Sequence, residues 1–342
     1  MDIRFMKRAL HLAQLGLGKV APNPLVGCVI VYEDHIIGEG YHMEYGSAHA
    51  EVNAINQVKD QNLFKKSTCY ITLEPCAHFG KTPPCVELIL KSGIKKVVIG
   101  TKDSNPLVSG KGIERLKSSG IEVEVGVLEN ECRQLNKRFF TYHEKSRPYV
   151  ILKWAQTTDG YLDKQRKPEE KGINWISQPE TKSLVHKWRS EEQSILVGRN
   201  TIMNDNPSLT VREYAGKNPI RIVIDSQLAV SNIQNVFSED AETLIFNRIK
   251  NEKQSNVEWI KIQETSTDVI LKELYKRGIQ SILVEGGSRT LQYFIIDNVW
   301  DEARVIVGNV NFGSGIKAPV INKLPSDTFN FGLDRIYTFN RK

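Results

Sequence analysis

Apolar positions change their period several times along the chain, and each change marks an element. Ile3, Met6, Ala9, Leu10 and Ala13 recur at helical spacing and predict an amphipathic first helix. The runs "LVGCVIVY", "IIGEGYH", "STCYITLE" and "KKVVIGT" read as strands, interleaved with helical patterns from "AEVNAI" and near "CVELILKSG". "GIEVEVG" adds a strand, and "ENECRQLNKRFFTYHEKS" reads as a helix and an exit segment. This alternation predicts an α/β/α layered sheet with at least some parallel strands.

Arg147-Pro148 then opens a new strand, "YVILKWAQT", because proline disfavours helix at the residue before it. A domain boundary is placed there, giving residues 1–146 and 147–342. In the second part "SILVG", "IRIVID", "ETLIF", "SILVEGG" and "EARVIVG" are strand candidates, with helical patterns near 180–190, 265–277 and 288–298. The charged stretch "DKQRKPEEKG", residues 163–172, reads as an exposed loop. Two unlike α/β domains are expected.

Hydrophobic residues at 40% of 342 supply enough apolar material for two cores. Net charge is +6 without a long basic tract, which fits a small anionic ligand and argues against a nucleic-acid partner. Asp2, Arg4, Lys7, Arg8 and His11 interrupt the N-terminal stretch, and no run approaches the roughly 20 apolar residues of a membrane span. A cytoplasmic protein without a membrane partner is expected. Five cysteines, an odd number, argue against a disulfide framework and turn attention to metal binding. Cys28 and Cys69 lie in apolar runs and read as core thiols, while Cys132 carries no motif.

The chemistry concentrates in "HAEVNAI", residues 49–55, and "LEPCAHFGKTPPC", residues 73–85. His49, Cys76 and Cys85 offer three ligands and leave a fourth tetrahedral position open, as in a catalytic zinc site. Zinc there would bring the pKa of water to about 7. Glu51, two residues past a ligand at a helix start, is placed to shuttle protons without binding the metal. The pattern H-x-E followed by P-C-x-x-C marks zinc deaminases, although here the second cysteine follows after nine positions. The competing reading closes the site with His78 as fourth ligand and makes the zinc structural.

"APNPLVGCVI", "GEGYH", "HAEVNAI" and "YITLEPCAHFGKTPPC" resemble the deaminase half of the RibD (RibG) family of bifunctional riboflavin biosynthesis proteins, whose own motif has the long cysteine interval. The resemblance implies a cytidine deaminase-like domain, one zinc on His49, Cys76 and Cys85, and Glu51 as proton donor and acceptor. The implied substrate is a diaminopyrimidinone bearing a ribosylamino phosphate. Asn23 and His42 match positions facing it, and Lys81 could reach its phosphate; the plainer alternatives are a turn, a strand end and an exposed lysine.

"KWAQTTDGYL", "NWIS", "VGRNTIMNDNPSLTVR" and "LVEGGSRTL" resemble the same family's reductase half, which implies a dihydrofolate reductase-like fold and NADPH. By that resemblance Ala155, Trp175, Thr201, Asp205 and the segment Gly287, Ser288, Arg289, Thr290 and Leu291 lie against the cofactor. Arg189, Leu209, Arg212 and Glu285 would lie against the substrate, the arginines clamping its phosphate and the carboxylate its ribose. Taken singly, Trp175 and Leu209 read as core and the two arginines as solvated. Ile173 stands where the family usually has a serine. For the proton of the reduction, Lys153, Glu285 and ordered water are equal candidates.

The resemblance implies consecutive deamination and reduction of a phosphorylated pyrimidine, in a homo-oligomer. Rival readings are a nucleic-acid base deaminase with an accessory domain, which leaves the second half unemployed, and a non-catalytic zinc module.

Overall fold

A computed structural model describes residues 3–77, 83–105, 108–167 and 169–341. The chain forms two compact units, Met1–Ser146 and Arg147–Lys342.

The first unit runs α1 (Ile3–Gln14), β1 (Gly27–Tyr32), β2 (His35–Tyr41), α2 (Ala50–Gln57), β3 (Thr68–Leu73), α3 (Cys85–Ser92), β4 (Lys96–Thr101), α4 (Lys111–Ser118), β5 (Glu122–Val125), α5 (Glu129–Leu135) and α6 (Lys137–Lys145). Its sheet has the order β2-β1-β3-β4-β5. The pairs β2-β1 and β1-β3 are antiparallel, whereas β3-β4 and β4-β5 are parallel. Strand side chains alternate between faces. Ile30, Ile71 and Ile99 therefore pack with Ile55, Ile89 and Leu116 of α2, α3 and α4, while Val29, Tyr70 and Val98 meet α1 and α5 on the other side. This is the layered α/β/α arrangement.

Glycine sets the distance between α2 and the sheet. A Cβ at Gly38 would lie 2.4 Å from the Ala54 carbonyl oxygen, and one at Gly40 would lie 2.6 Å from the Ala54 nitrogen and 2.7 Å from the Ala50 oxygen. Both positions share one strand face, so the backbone of α2 rests directly on that of β2. This packing explains the "GEGYH" stretch and holds the start of α2, where His49 and Glu51 lie.

The second unit runs β6 (Tyr149–Thr157), β7 (Tyr161–Asp163), α7 (Thr181–Glu191), β8 (Ser194–Gly198), α8 (Arg199–Asp205), β9 (Ile220–Ile224), β10 (Thr243–Asn247), β11 (Glu252–Gln254), β12 (Val257–Lys261), α9 (Thr267–Lys276), β13 (Ser281–Gly286), α10 (Ser288–Ile296), β14 (Glu302–Gly308), β15 (Ile316–Lys317), β16 (Asp327–Phe331) and β17 (Asp334–Asn340). Its main sheet has the order β11-β12-β10-β9-β8-β13-β6-β14-β17-β16. From β12 to β14 neighbouring strands are parallel, and β11, β17 and β16 pair antiparallel at the two edges. Parallel strands covered on both faces read as unbroken apolar runs, which is why "SILVG" and "IRIVI" stand out. Leu152, Ile282 and Val284 pack with α9 and α10 residues such as Leu274 and Phe294, whereas Ile195 and Val197 pack with Ile202 of α8 on the opposite face.

Several elements escape the periodicity. The segment read as a helix and an exit segment after β5 is two helices, divided at Asn136, whose Oδ1 accepts the Leu25 N–H and whose Nδ2 donates to the Leu25 carbonyl, each at 2.8 Å. Helices α4 and α8 are only eight and seven residues long, too short for a period to repeat, and the edge strands β11 and β16 are largely exposed.

Gly40→Ala is expected to destabilise the first unit by about 1–3 kcal/mol through forced displacement of α2. A guanidinium titration reads this directly, and an unchanged midpoint would show that the helix is not held by this contact.

Candidate deaminase and reductase sites

In the first unit the parallel pairing of β3 and β4 brings two helix starts together. His49 caps α2, and Cys85 is the first residue of α3. Cys76 sits on the loop leaving β3 and accepts the Cys85 backbone N–H at 3.3 Å. His49 Nδ1 lies 3.2 Å from Cys85 Sγ and 3.7 Å from Cys76 Sγ, and the three ligand atoms all fall within 4.8 Å of one another. Zinc–sulfur bonds of about 2.3 Å and zinc–nitrogen bonds of about 2.0 Å at tetrahedral angles put nitrogen and sulfur about 3.5 Å apart, so the triangle fits the ion. Hydrogen bonds from Cys85 and His49 hold the Cys76 thiol down at about 4, while the Cys85 thiol, sharing that bond, is pushed up. One thiolate beside an imidazole whose pKa is raised chiefly by Cys76 is the donor set a divalent cation would complete.

Glu51 lies one residue into α2 and is 3% exposed. Burial raises its carboxyl above the usual range, helped by the negative charge of Cys76. Asn23 and His42 also come to this place: Asn23 Nδ2 donates to His42 Nε2 at 3.1 Å, and His42 Nδ1–H donates to the Ala48 carbonyl at 3.1 Å. The His42 ring packs edge-on to that of His49, with centroids 5.4 Å apart. Both nitrogens of His42 are thereby assigned in the neutral form, and burial lowers its pKa. His42 is buried, not the exposed strand-end residue of the plainer reading. Lys81 and His78 lie outside the described residues.

Sequence reasoning missed Glu74. Its buried carboxylate accepts backbone N–H bonds from Gly110 (3.0 Å), Gly112 (2.9 Å), Ile113 (3.2 Å) and Asp103 (3.2 Å). Two residues before Cys76, it ties the ligand loop to the start of α4, where a Cβ on Gly112 would lie 2.2 Å from the Pro75 oxygen. The available signal was an acid before Pro-Cys together with the "SGKG" stretch. Cys28 and Cys69 are core thiols with sulfurs 3.4 Å apart, and Cys132 is buried too.

The second unit holds a cavity of about 340 Å³, within the range of small-ligand pockets. It gathers Lys153, Ala155, Trp175, Thr201, Asp205, Arg189, Leu209, Arg212 and Glu285 from distant parts of the chain. At its base, Arg189 of α7 holds Glu285 of β13 through two bonds of 2.9 and 2.8 Å, and Lys153 of the adjacent strand β6 lies 3.5 Å from the same carboxylate. Burial alone would raise Glu285, but the two cations outweigh it and hold the carboxyl at about 2. Burial, with Arg189 adding to it, lowers the Lys153 ammonium against the pull of Glu285. Arg189 is therefore not solvated, and it is committed to a carboxylate; Arg212 is exposed and has no carboxylate partner among the described residues.

Leu209 is core, whereas Trp175 is 55% exposed, with Lys182 Nζ over its ring at 4.0 Å. Ile173 also lines the cavity. The stretch expected as an exposed loop turns Arg166 inward, where it bonds Asp163 at 2.7 Å and lies 3.0 Å from Asp205, whose carboxyl burial raises to about 6. Gly287 caps α10, close to Thr201. The side chains that follow point elsewhere: Ser288 donates to the Lys317 carbonyl at 3.0 Å, Arg289 donates to the Tyr293 hydroxyl at 2.8 Å, and Leu291 is fully buried in the core. Thr290 Oγ1 abuts Gly198, where a Cβ would lie 2.7 Å away. His186, one helical turn before Arg189, is a lining residue that sequence reasoning passed over; the i, i+3 spacing on α7 was the available signal.

Comparison with known proteins gives these two sites a common context. Residues 1–101 match the family model described as cytidine and deoxycytidylate deaminase zinc-binding region, and residues 148–342 match the one described as RibD C-terminal domain. Riboflavin biosynthesis protein RibD of Aquifex aeolicus is 43% identical over 92% of this chain and 89% of its own length, and that of Escherichia coli is 35% identical over 92% and 89%. A Thermotoga maritima crystal structure, of a diaminohydroxyphosphoribosylaminopyrimidine deaminase and 5-amino-6-(5-phosphoribosylamino)uracil reductase, superposes with a TM-score of 0.88 at 38% identity, covering 99% of this chain and 98% of that one. Acinetobacter baumannii RibD superposes with a TM-score of 0.88 at 31% identity over the same shares. A zinc-binding deaminase domain followed by an NADPH-dependent reductase domain places this chain in the RibD family of riboflavin biosynthesis proteins.

Proposed function

We propose that residues 1–146 deaminate a diaminohydroxyphosphoribosylaminopyrimidine and that residues 147–342 then reduce 5-amino-6-(5-phosphoribosylamino)uracil with NADPH, the activities printed for the Thermotoga relative. The observation that carries the first half is the His49, Cys76 and Cys85 triangle with a buried carboxylate, Glu51, beside it. Zinc held there supplies the Lewis acidity that makes water a nucleophile at neutral pH. Glu51 takes the proton of that water and returns it to the departing amine; burial, by raising its pKa, suits it to hold the proton between the two events. Asn23 and the neutral His42 orient the pyrimidine, and Lys81 is assigned to its phosphate on the family resemblance alone. A zinc site closed by a fourth protein ligand leaves Glu51 without a task.

In the second half Ala155, Trp175, Thr201, Asp205 and the start of α10 receive the cofactor. At Gly287, Ser288, Arg289 and Thr290 the main chain is the contacting part, through N–H groups at a helix start, whereas the Leu291 N–H is spent on the Gly287 carbonyl at 3.1 Å and its side chain on the core. NADPH held there would supply the hydride that reduces the sugar C1′ and opens ribosyl to ribityl, and orientation is the protein's share of the work. Lys153 lies beside Glu285 at the base of the cavity. Lys153 and ordered water are proposed to serve the accompanying proton, and Glu285, held ionised by its two cations, is the counter-charge. Leu209 and Arg212 form the substrate wall, with Arg212, which has no carboxylate partner among the described residues, the cation for the phosphate.

No helix among the described residues is long and apolar enough to cross a membrane, and a cytoplasmic location is proposed with the biosynthetic role. A homo-oligomer is proposed as well.

Glu51→Gln is expected to slow ammonia release about 10²–10⁴-fold while zinc content, read by metal analysis, stays near one ion per chain. Ammonia release that survives the change would sink the assigned proton shuttle. Chelation should abolish deamination but leave NADPH oxidation intact when the deaminated compound is supplied, and re-addition of zinc should restore the first step. Glu285→Gln leaves Arg189 and Lys153 without their buried counter-charge. It should cut reductase kcat/KM about 100-fold or more, read as NADPH absorbance, while ammonia release continues.

A further inference from the structure

His186 has no part in the activities assigned so far, yet it stands on the wall of the reductase cavity and is 5% exposed. Its Nδ1 accepts the backbone N–H of Arg212 at 2.9 Å. A backbone N–H can only donate, so Nδ1 carries the lone pair, and the neutral ring has its proton on Nε2. Nε2 makes no hydrogen bond among the described residues, and it is not among the sealed, unpartnered side-chain atoms either. Burial, with Arg189 and Arg212 adding to it, lowers the ring's pKa to about 4 and keeps it uncharged at neutral pH.

The surroundings state what such a donor meets. Helix α7 pins the 209–212 segment twice, through Arg189 Nη1 donating to the Thr210 carbonyl at 3.2 Å and through His186 accepting from Arg212. Arg212 Nη1 is steadied by Thr210 Oγ1 at 2.9 Å. Lys153 and Arg189 share the carboxylate of Glu285, which leaves Arg212 as a cation without an acid partner on this wall. An anion is the complement, and an uncharged N–H beside a guanidinium adds a second donor to it.

Resting on the reading of Arg212 as phosphate anchor, we propose that His186 is a specificity-determining residue that donates its Nε2–H to the substrate phosphate and, through Nδ1, holds Arg212 in place for the same group. Its loss therefore weakens recognition of the phosphorylated compound and leaves the handling of NADPH alone.

The test uses the full chain with zinc, 5-amino-6-(5-phosphoribosylamino)uracil and its dephosphorylated counterpart. His186→Asn keeps an acceptor for the Arg212 N–H but removes the Nε2 donor, and His186→Phe keeps the ring volume and removes both. Each should raise KM for the phosphorylated compound about tenfold or more, the loss typical of a hydrogen bond to a charged group. The KM for NADPH and kcat/KM for the dephosphorylated compound should change less than about twofold. An equal loss on both compounds would reduce His186 to a structural residue, and no loss on either would remove it from recognition; each overturns the inference. Arg212→Met separates the two claims. If it abolishes the preference for the phosphorylated compound while the His186 variants retain it, the role of His186 alone fails. If Arg212→Met also retains it, the phosphate reading of this wall fails with it.

Discussion

An anionic group taken out of water must be given a cation, N–H donors or a proton, and both sites are organised by that requirement. Three carboxylates and one pair of thiols meet it in four ways. Glu74 collects four backbone N–H groups, Glu285 collects Arg189 and Lys153, the Cys76 and Cys85 pair shares a proton with His49 close by, and Glu51 is driven toward its protonated form by burial. Only the first two are complete within the chain. The thiol pair is completed by a metal, and Glu51 by a proton that it can give up again. The incomplete solutions are the reactive ones.

Main-chain proximity supplies the precision. Residues with proposed roles sit where a strand gives way to a helix: His49 and Glu51 at the start of α2, Cys85 at the start of α3, Thr201 on α8 after β8, and Gly287 before α10. At these points N–H groups are unspent and a side chain's direction is settled within one turn. Gly38 and Gly40 let α2 rest on β2, and Gly112 lets α4 reach the Cys76 loop. The reductase cavity uses a different device, in which one carboxylate on β13 fixes a lysine from β6 and an arginine from α7 against each other.

The fold was legible wherever burial imposed a period. Parallel core strands announced themselves as apolar runs, and α1 as a stripe. The edge strands β11 and β16, the short α8, and the division at Asn136 left no such mark, because exposure relaxes the pattern and a single side-chain amide can end a helix. For the candidate metal site, His-x-Glu and the two cysteines in a Pro/Gly loop pointed to the ligands and the shuttle proposed above, since ligand chemistry admits few residue types. The resemblance to RibD supplied the reductase list.

By itself the sequence determined the two α/β domains and the family, and it named the candidate zinc ligands and Glu51, since each is written in residue identities at short spacing. The tertiary structure alone decided that Arg189 is spent on Glu285 while Arg212 is not, that Glu74 braces the ligand loop, and that His186 faces the cavity with one nitrogen already engaged. Those facts depend on which groups, tens of residues apart, are left to satisfy one another once water is gone, and no local pattern encodes that partnership.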